Sequence, residues 1–420
     1  MRHKGLTPPR DAGEDYTLID LGCGDGLGLI VQAVADPASR FIGIDAMPGH
    51  ITRGQAIIAE LALQNIELRC ETFAEALQKE PVPADYVTVQ GVWSWISPEN
   101  QRALLQLVAE NLKPAGVAML GYNSLPGWMQ VVGFQKMIRM VSLDYQGTPT
   151  EKFWQALSHV RTASEAGMYA LDGSQFEWFD QIRQGLPEDY FAHEYLNGHW
   201  QPMWSGDAIT DAAAHDLCFQ CSGSRERLRD DFVYQAAKRA EIEKVANIPA
   251  REIMKDMLAN TWFRRDIFSK SALKPLDRDK AIDQRMDGYW AALTPKSQAK
   301  FSARSPAGTL KFDNAAAHHI LDHLEFGPAS LNAIYDAKAP GTRADILNTI
   351  DSLFFAAQIE PVDPPQSGGA VEQLNAWLAA LEQNGSPMNA MLTPYGPMSV
   401  AEGKIADLLT DGAARERMGL

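Results

Sequence analysis

Along the first 125 residues the apolar positions switch repeatedly between the period of a strand and that of a helix. Tyr16-Thr-Leu-Ile-Asp-Leu21 reads as a short buried strand running into a glycine cluster, and Leu27 to Ala35 as a helix halted by Asp36-Pro37. Arg40-Phe-Ile-Gly-Ile-Asp45 is a second strand, and Ile51, Ile57, Ile58 and Leu61 fall near the spacing of a helix face. Ile66 to Cys70 predicts a third strand and Ala84 to Gln90 a fourth. Ser97-Pro98 opens a helix, with serine as the cap and proline at the first helical position; Leu104, Leu105, Val108 and Leu112 supply its buried stripe. Pro114-Ala-Gly116 breaks that helix ahead of a fifth strand over Val117 to Gly121. Strands alternating with helices of roughly 10–15 residues imply an α/β fold built on a doubly wound parallel sheet. Ligands of such sheets bind beyond the C-terminal strand ends, so the residues that follow each strand carry the functional expectation.

Beyond Gly121 the pattern changes. The chain is helical and aromatic over about 128–190, and His193 to Tyr195 and Leu217 to Ser222 predict two strands that complete the sheet. After about 225 it reads mostly as helices, with a Pro/Gly-rich linker at about 361–369. The expected organisation is an α/β domain over 1–225 with a helical insertion, followed by a mainly helical region over 226–420.

Composition narrows the function classes. A chain of 420 residues, 45% apolar and 22% charged, has room for two or three domains and is too apolar for a disordered protein. Its net charge of −15 argues against duplex nucleic acid as the partner, because phosphate binding needs a basic face. A basic protein and a small molecule both remain open as substrates, and a homodimer remains open as the assembly. No run of about 20 apolar residues predicts a membrane span, and Met1 to Arg10 lacks the apolar stretch of a secretion signal. Cys23, Cys70, Cys218 and Cys221 are few and unevenly spaced, which fits a reduced, cytoplasmic compartment.

The strongest chemical signal is Asp20-Leu-Gly22-Cys23-Gly24-Asp-Gly26, at the end of the first strand. Glycines there let the backbone turn sharply and approach a ligand closely. A dinucleotide fingerprint needs a third glycine where this chain has Leu27, so that pattern fails. The observed spacing, with an acid in front, suits a ligand without a phosphate whose cationic amino-acid end meets Asp20. Asp45, followed by Ala46, closes the second strand 19 residues after Gly26, where a carboxylate can accept both hydroxyls of a ribose. Together these features favour S-adenosyl-L-methionine as cofactor; a dinucleotide, or a loop that binds nothing, are the alternatives.

Asp20 to Gly26 with Asp45 resemble class I S-adenosylmethionine-dependent methyltransferases. Gln90-Gly-Val-Trp-Ser-Trp-Ile96, Asn111 to Gly116, Gly121 to Trp128, His193 to Pro202 and Phe263 to Phe268 are similar to bacterial methyltransferases that carry a methyltransferase regulatory domain. The rickettsial protein lysine methyltransferases are the best-known of these. The resemblance implies a Rossmann-like core, a helical insertion and a C-terminal region of winged-helix-like character. It also implies methyl transfer to a nitrogen or oxygen acceptor, with protein lysine the named option. A small molecule or glycan precursor is the competing acceptor, and a non-catalytic cofactor-binding interaction protein the competing class. Relatives carry a few tens of residues of covering helix before the first strand, whereas 15 precede Tyr16 in this sequence.

Methyl transfer from a sulfonium is an in-line displacement, so the chain must align the acceptor, exclude water and accommodate loss of an amine proton. Thr72 and Phe73, after the third strand, are placed to flank the adenine; Gln90, Gly91 and Val92, after the fourth, stand near the methyl end. Ordinary strand-end packing is the alternative for all five. Tyr122 and Asn123, after the fifth strand, offer a hydroxyl and a carbonyl to orient an acceptor, or else form an Asx-type turn with a core tyrosine. His193 is a candidate base, as is His199, against a merely structural imidazole. Seven of the ten tryptophans fall between 93 and 204, either as core or as walls that hold a cation by their ring faces. No metal site is expected: Cys218-Phe-Gln-Cys221 lacks a second ligand pair, and His318, His319 and His323 lack the glutamate of a zinc helix.

Overall fold

Local signals build the first half of the chain. The computed structural model describes residues 1–10, 13–168, 176–177, 180–181, 188–364, 371–383, 388, 390–400 and 404–418. The predicted alternation appears as β1 (Thr17–Leu21), α1 (Leu27–Ala35), β2 (Arg40–Asp45), α2 (Pro48–Glu60), β3 (Ile66–Cys70), α3 (Phe73–Ala76), β4 (Ala84–Val89), α4 (Pro98–Asn111) and β5 (Leu112–Asn123). Ser97 caps α4 by accepting from the Asn100 amide, and Pro98 occupies its first turn. Neither Pro114 nor Gly116 lies in a helix: α4 ends at Asn111 and β5 begins at Leu112, with Pro114 in the irregular stretch between the Ala84–Leu112 and Tyr86–Val117 pairs.

The sheet has seven strands in the order β3-β2-β1-β4-β5-β7-β6, with β6 at Cys218–Ser222 and β7 at Phe263–Ser269. The first five run parallel, while β7 runs antiparallel between β5 and β6. Two expectations need correction. His193 to Tyr195 is the end of a helix (Glu188–Leu196), not a strand. Phe191, Ala192 and Tyr195 are its buried positions, a helical stripe packed against Phe153. The strand that fills the inner position is β7, beyond residue 225, so the sheet domain does not close at that boundary. An antiparallel strand inserted after a long excursion has no short-range signature beyond the six-residue apolar-charged run Phe263 to Phe268.

Aliphatic residues of β1, β2 and β4 join Leu104, Leu105 and Val108 of α4 in the core on one face. On the other face Leu29, Ile30 and Phe41 pack with Val371, Leu374, Leu378 and Leu392, so C-terminal segments cover the sheet directly. The insertion has its own core, in which α5 (Met129–Val141) and α6 (Pro149–Glu165) meet the Glu188–Leu196 helix. Residues 278–362 form a separate core of helices around a three-stranded sheet, Ala329–Ser330, Tyr289–Ala292 and Ile359–Val362. The expected linker begins later than 361, because Pro361 and Val362 still pair with Trp290 and Tyr289; residues 365–369 lie outside the described residues. Ahead of β1, His3 stacks on Phe354 and its Nδ1 lies 3.0 Å from Asp351, so this segment runs against the C-terminal region.

Candidate cofactor and methyl-transfer site

The glycine loop leaves β1 with three residues in the left-handed region: Gly22 at φ +79°, Gly24 at +61° and Gly26 at +73°. At Gly22 the need for glycine is twofold, since a Cβ there would stand 2.2 Å from Val92 Cγ2. The Gly22 and Cys23 amides donate to the Ile44 carbonyl at 2.7 and 3.2 Å, clamping the loop to the end of β2. Asp45 completes the clamp: its Oδ2 accepts from the Gly24 amide at 2.9 Å and its Oδ1 from the Met47 amide at 2.8 Å. Each carboxylate oxygen keeps a further lone pair for a ligand.

These elements border a cavity of about 200 Å³ at the C-terminal strand ends. Gly22, Asp45, Ala46, Thr72, Phe73 and Val92 line it, six positions that the sequence singled out from four separate strand ends. Glu71, Ile96 and Asn100 also line it and escape sequence reasoning, because each is one or a few residues off the expected strand-end position. Thr72 is held by a reciprocal capping box with Glu75, which fixes the start of α3. Lys79 Nζ lies 2.6 Å from Glu71 Oε1, while Glu71 Oε2 is buried without a partner.

Asp20 stands behind the loop, and Thr88 Oγ1 donates to its Oδ1 at 2.7 Å. Burial, reinforced by the nearby Asp45 charge, pushes its carboxyl up to about 6. Burial likewise pushes the Cys23 thiol up to about 12, so Cys23 remains a protonated loop residue. Gln90 lies against the next strand, where a Cβ on Gly121 would come within 2.8 Å of its Oε1, and its Nε2 is buried without a partner. Gly91 is exposed at φ +65°. Two unsatisfied buried polar atoms beside a glycine cradle are the features of a site built for a polar ligand.

The three proposed catalytic positions do not converge. Tyr122 is buried in the core and its hydroxyl donates to Asp266 Oδ2 at 2.6 Å. It belongs to a buried network in which Arg264 donates to Asp266 at 2.8 Å, to Asp256 at 2.9 Å and to Glu252 at 2.8 Å. Arg227 joins through Asp256 at 2.6 Å and through Thr261. The hydroxyl is therefore spent on holding β5 to β7, a correction to its expected role. Asn123 is buried too, its backbone N–H donating to Ser94 Oγ at 2.9 Å. His193 sits on the exposed side of its helix; next to it, burial pushes the Glu194 carboxyl up to about 7. Tyr122 and Asp266 are 144 residues apart in sequence, which is why no local pattern announced their bond. Cys218 is exposed and Cys221 buried, and a bulge between Phe219 and Cys221 shifts the register so that the two pair with Ser269 and Ile267 of β7. Among the described residues, no helix is long and apolar enough to cross a membrane.

Comparison with known proteins agrees with this geometry. Residues 18–116 match the family model of a methyltransferase domain, and residues 187–270 that of a predicted methyltransferase regulatory domain. An uncharacterized protein of Synechocystis sp. is 26% identical over 365 residues, covering 84% of this chain and 69% of the relative. An uncharacterized protein of Rickettsia prowazekii is 28% identical over 198 residues, covering 46% of this chain and 76% of the relative. In fold, the chain is similar to PKMT2 from Rickettsia typhi, solved in complex with AdoHcy, with a TM-score of 0.70 at 18% identity, covering 97% of this chain and 84% of that one. The 3-2-1-4-5-7-6 sheet with its acid-led glycine loop is a class I methyltransferase fold, and the chain carries an S-adenosylmethionine-dependent methyltransferase domain followed by a methyltransferase regulatory domain.

Proposed function

We propose that this protein transfers the methyl group of S-adenosylmethionine to an amine nitrogen, that of a lysine side chain in a protein acceptor. The observation that carries the cofactor half is the cavity at the strand ends, where Gly22, Asp45, Thr72, Phe73 and Val92 meet. The bound cofactor supplies an electrophilic methyl carried on a sulfonium. The chain's own residues do the rest. Gly22 and Gly24 let the backbone come close, Asp45 accepts from ribose hydroxyls, Thr72 and Phe73 flank the base, and Asp20 faces the cationic amino end. Burial has raised the Asp20 carboxyl, so a cation arriving beside it is favoured on two counts: it neutralises a desolvated charge and it draws the group into its ionised form.

For the acceptor, the net charge of −15 favours approach of a cationic side chain over an acidic or neutral one. The likeness in fold to PKMT2 is what supports a protein as the acceptor. The test is incubation with methyl-labelled cofactor and lysine-rich protein acceptors, followed by amino-acid analysis of the labelled protein. Methylated lysine supports the proposal. Label confined to small molecules excludes the lysine half and leaves the cofactor half standing.

A further inference from the structure

The segment that matches the regulatory domain holds a second cavity, which the methyl-transfer reading does not use. Its volume is about 210 Å³, and its walls come from the edge strand β6, the helix Ile248–Ala259 and the residues ahead of β1. Four cations line it, Lys4, Arg227, Arg251 and Lys255, against two carboxylates, Asp230 and Glu252. That local excess runs against the net charge of −15 of the whole chain. The helix contributes through its period: Arg251 and Lys255 stand four apart on one face, so two like charges are turned towards the same space.

The carboxylates of the cavity are already committed. Lys255 Nζ lies 3.1 Å from Asp230 and 3.3 Å from Glu252, and Glu252 also accepts from Arg264 at 2.8 Å. Arg227 is buried and donates to Asp256 at 2.6 Å. Lys4 and Arg251 are left over. The Lys4 ammonium donates to the Arg227 carbonyl at 3.2 Å, which uses one of its three donors; Asp230 and Glu252 act on it only from beyond ion-pair distance. Burial pulls its pKa down, as befits a desolvated cation short of counter-charge. Among the described residues the Arg251 guanidinium has no hydrogen-bond or ion-pair partner, so its five N–H donors are unspent. The remaining polar walls add no negative charge. The Tyr234 hydroxyl donates to the Lys255 carbonyl at 3.1 Å, and burial raises the Cys221 thiol, which stays protonated. A planar guanidinium and an ammonium, both short of counter-charge and lining one cavity, suit a dianion with several acceptor oxygens.

We propose that this cavity is a binding site for a small dianion, a phosphate or a short dicarboxylate, held by Lys4 and Arg251. The site is independent of the cofactor cavity, and its test does not depend on methyl transfer. Calorimetry at pH 7.5 and fixed ionic strength, set with sodium chloride, is run with inorganic phosphate and with succinate as probes. The wild type binds at least one of the two, and the tighter probe names the ligand class. Arg251→Gln and Lys4→Gln each weaken that binding at least about tenfold, the effect of losing one hydrogen bond to a charged group. Arg251→Lys, which keeps the charge and loses the planar fork, falls between wild type and Arg251→Gln. Lys311→Gln removes the same charge from an exposed position outside the cavity and stays within about twofold of wild type. Unfolding midpoints measured without either probe confirm that the variants compared are folded. Binding of neither probe to the wild type, undiminished binding in Arg251→Gln or Lys4→Gln, or an equal loss in Lys311→Gln overturns the proposal.

Discussion

Asp20→Asn separates the stability of the empty site from its affinity, and predicts opposite signs for the two. Burial lifts the Asp20 carboxyl from 3.8 to about 6, so at neutral pH the folded chain holds a carboxylate where it is less stable than in water. That displacement corresponds to at most about 3 kcal/mol, and the partial exposure of the side chain brings the expected value nearer about 2 kcal/mol. Between pH 4 and 6 the folded form binds more protons than the unfolded form, so wild-type stability falls as pH rises through this window and then levels. Asparagine still accepts from Thr88 Oγ1 and removes the charge, so the variant is more stable at pH 7.5 and the difference fades towards pH 4. Its cofactor affinity moves the other way, by about tenfold to a hundredfold, the value of one charge-assisted hydrogen bond. Wild-type affinity weakens below about pH 6 for the same reason. Denaturant titrations from pH 4 to 8 and calorimetry with S-adenosylmethionine measure both quantities. A variant with wild-type stability, wild-type pH dependence and wild-type affinity refutes the reasoning.

Asp45→Ala removes both the acceptor for the Gly24 amide and the ribose carboxylate, and calorimetry is expected to show at least about a tenfold loss of cofactor affinity. Gly22→Ala places a methyl 2.2 Å from Val92 Cγ2 at φ +79°, which costs about 1–3 kcal/mol in denaturant titration and lowers cofactor affinity. Tyr122→Phe removes the donor to Asp266 within a buried ion network, lowering stability by about 1–2 kcal/mol while methyl transfer stays within about threefold of wild type. A collapse of turnover in a folded Tyr122→Phe would return that hydroxyl to the reaction.

The cofactor half of the site is legible in sequence because it is local. Gly22, Gly24, Gly26 and Asp45 sit at strand ends whose positions follow from short apolar runs, and parallel topology places such ends together. What stays hidden is non-local. β7 begins 140 residues after β5 ends, and its Arg264 and Asp266 read locally as charged surface, although both are fully buried against Asp256, Glu252 and Tyr122. The same distance hides the partnership of Trp128, just after β5, with Trp262, just before β7. His193 misled because an aromatic, alternating stretch has β-like composition, whereas Phe191, Ala192 and Tyr195 bury as a helical stripe.

Methyl transfer itself is tested most directly with methyl-labelled S-adenosylmethionine added to the purified protein and a cell lysate divided into protein and small-molecule fractions. The account predicts label in the protein fraction, recovered as methylated lysine and lost in Asp45→Ala. Binding of the cofactor without label in either fraction, or label in the small-molecule fraction alone, contradicts it.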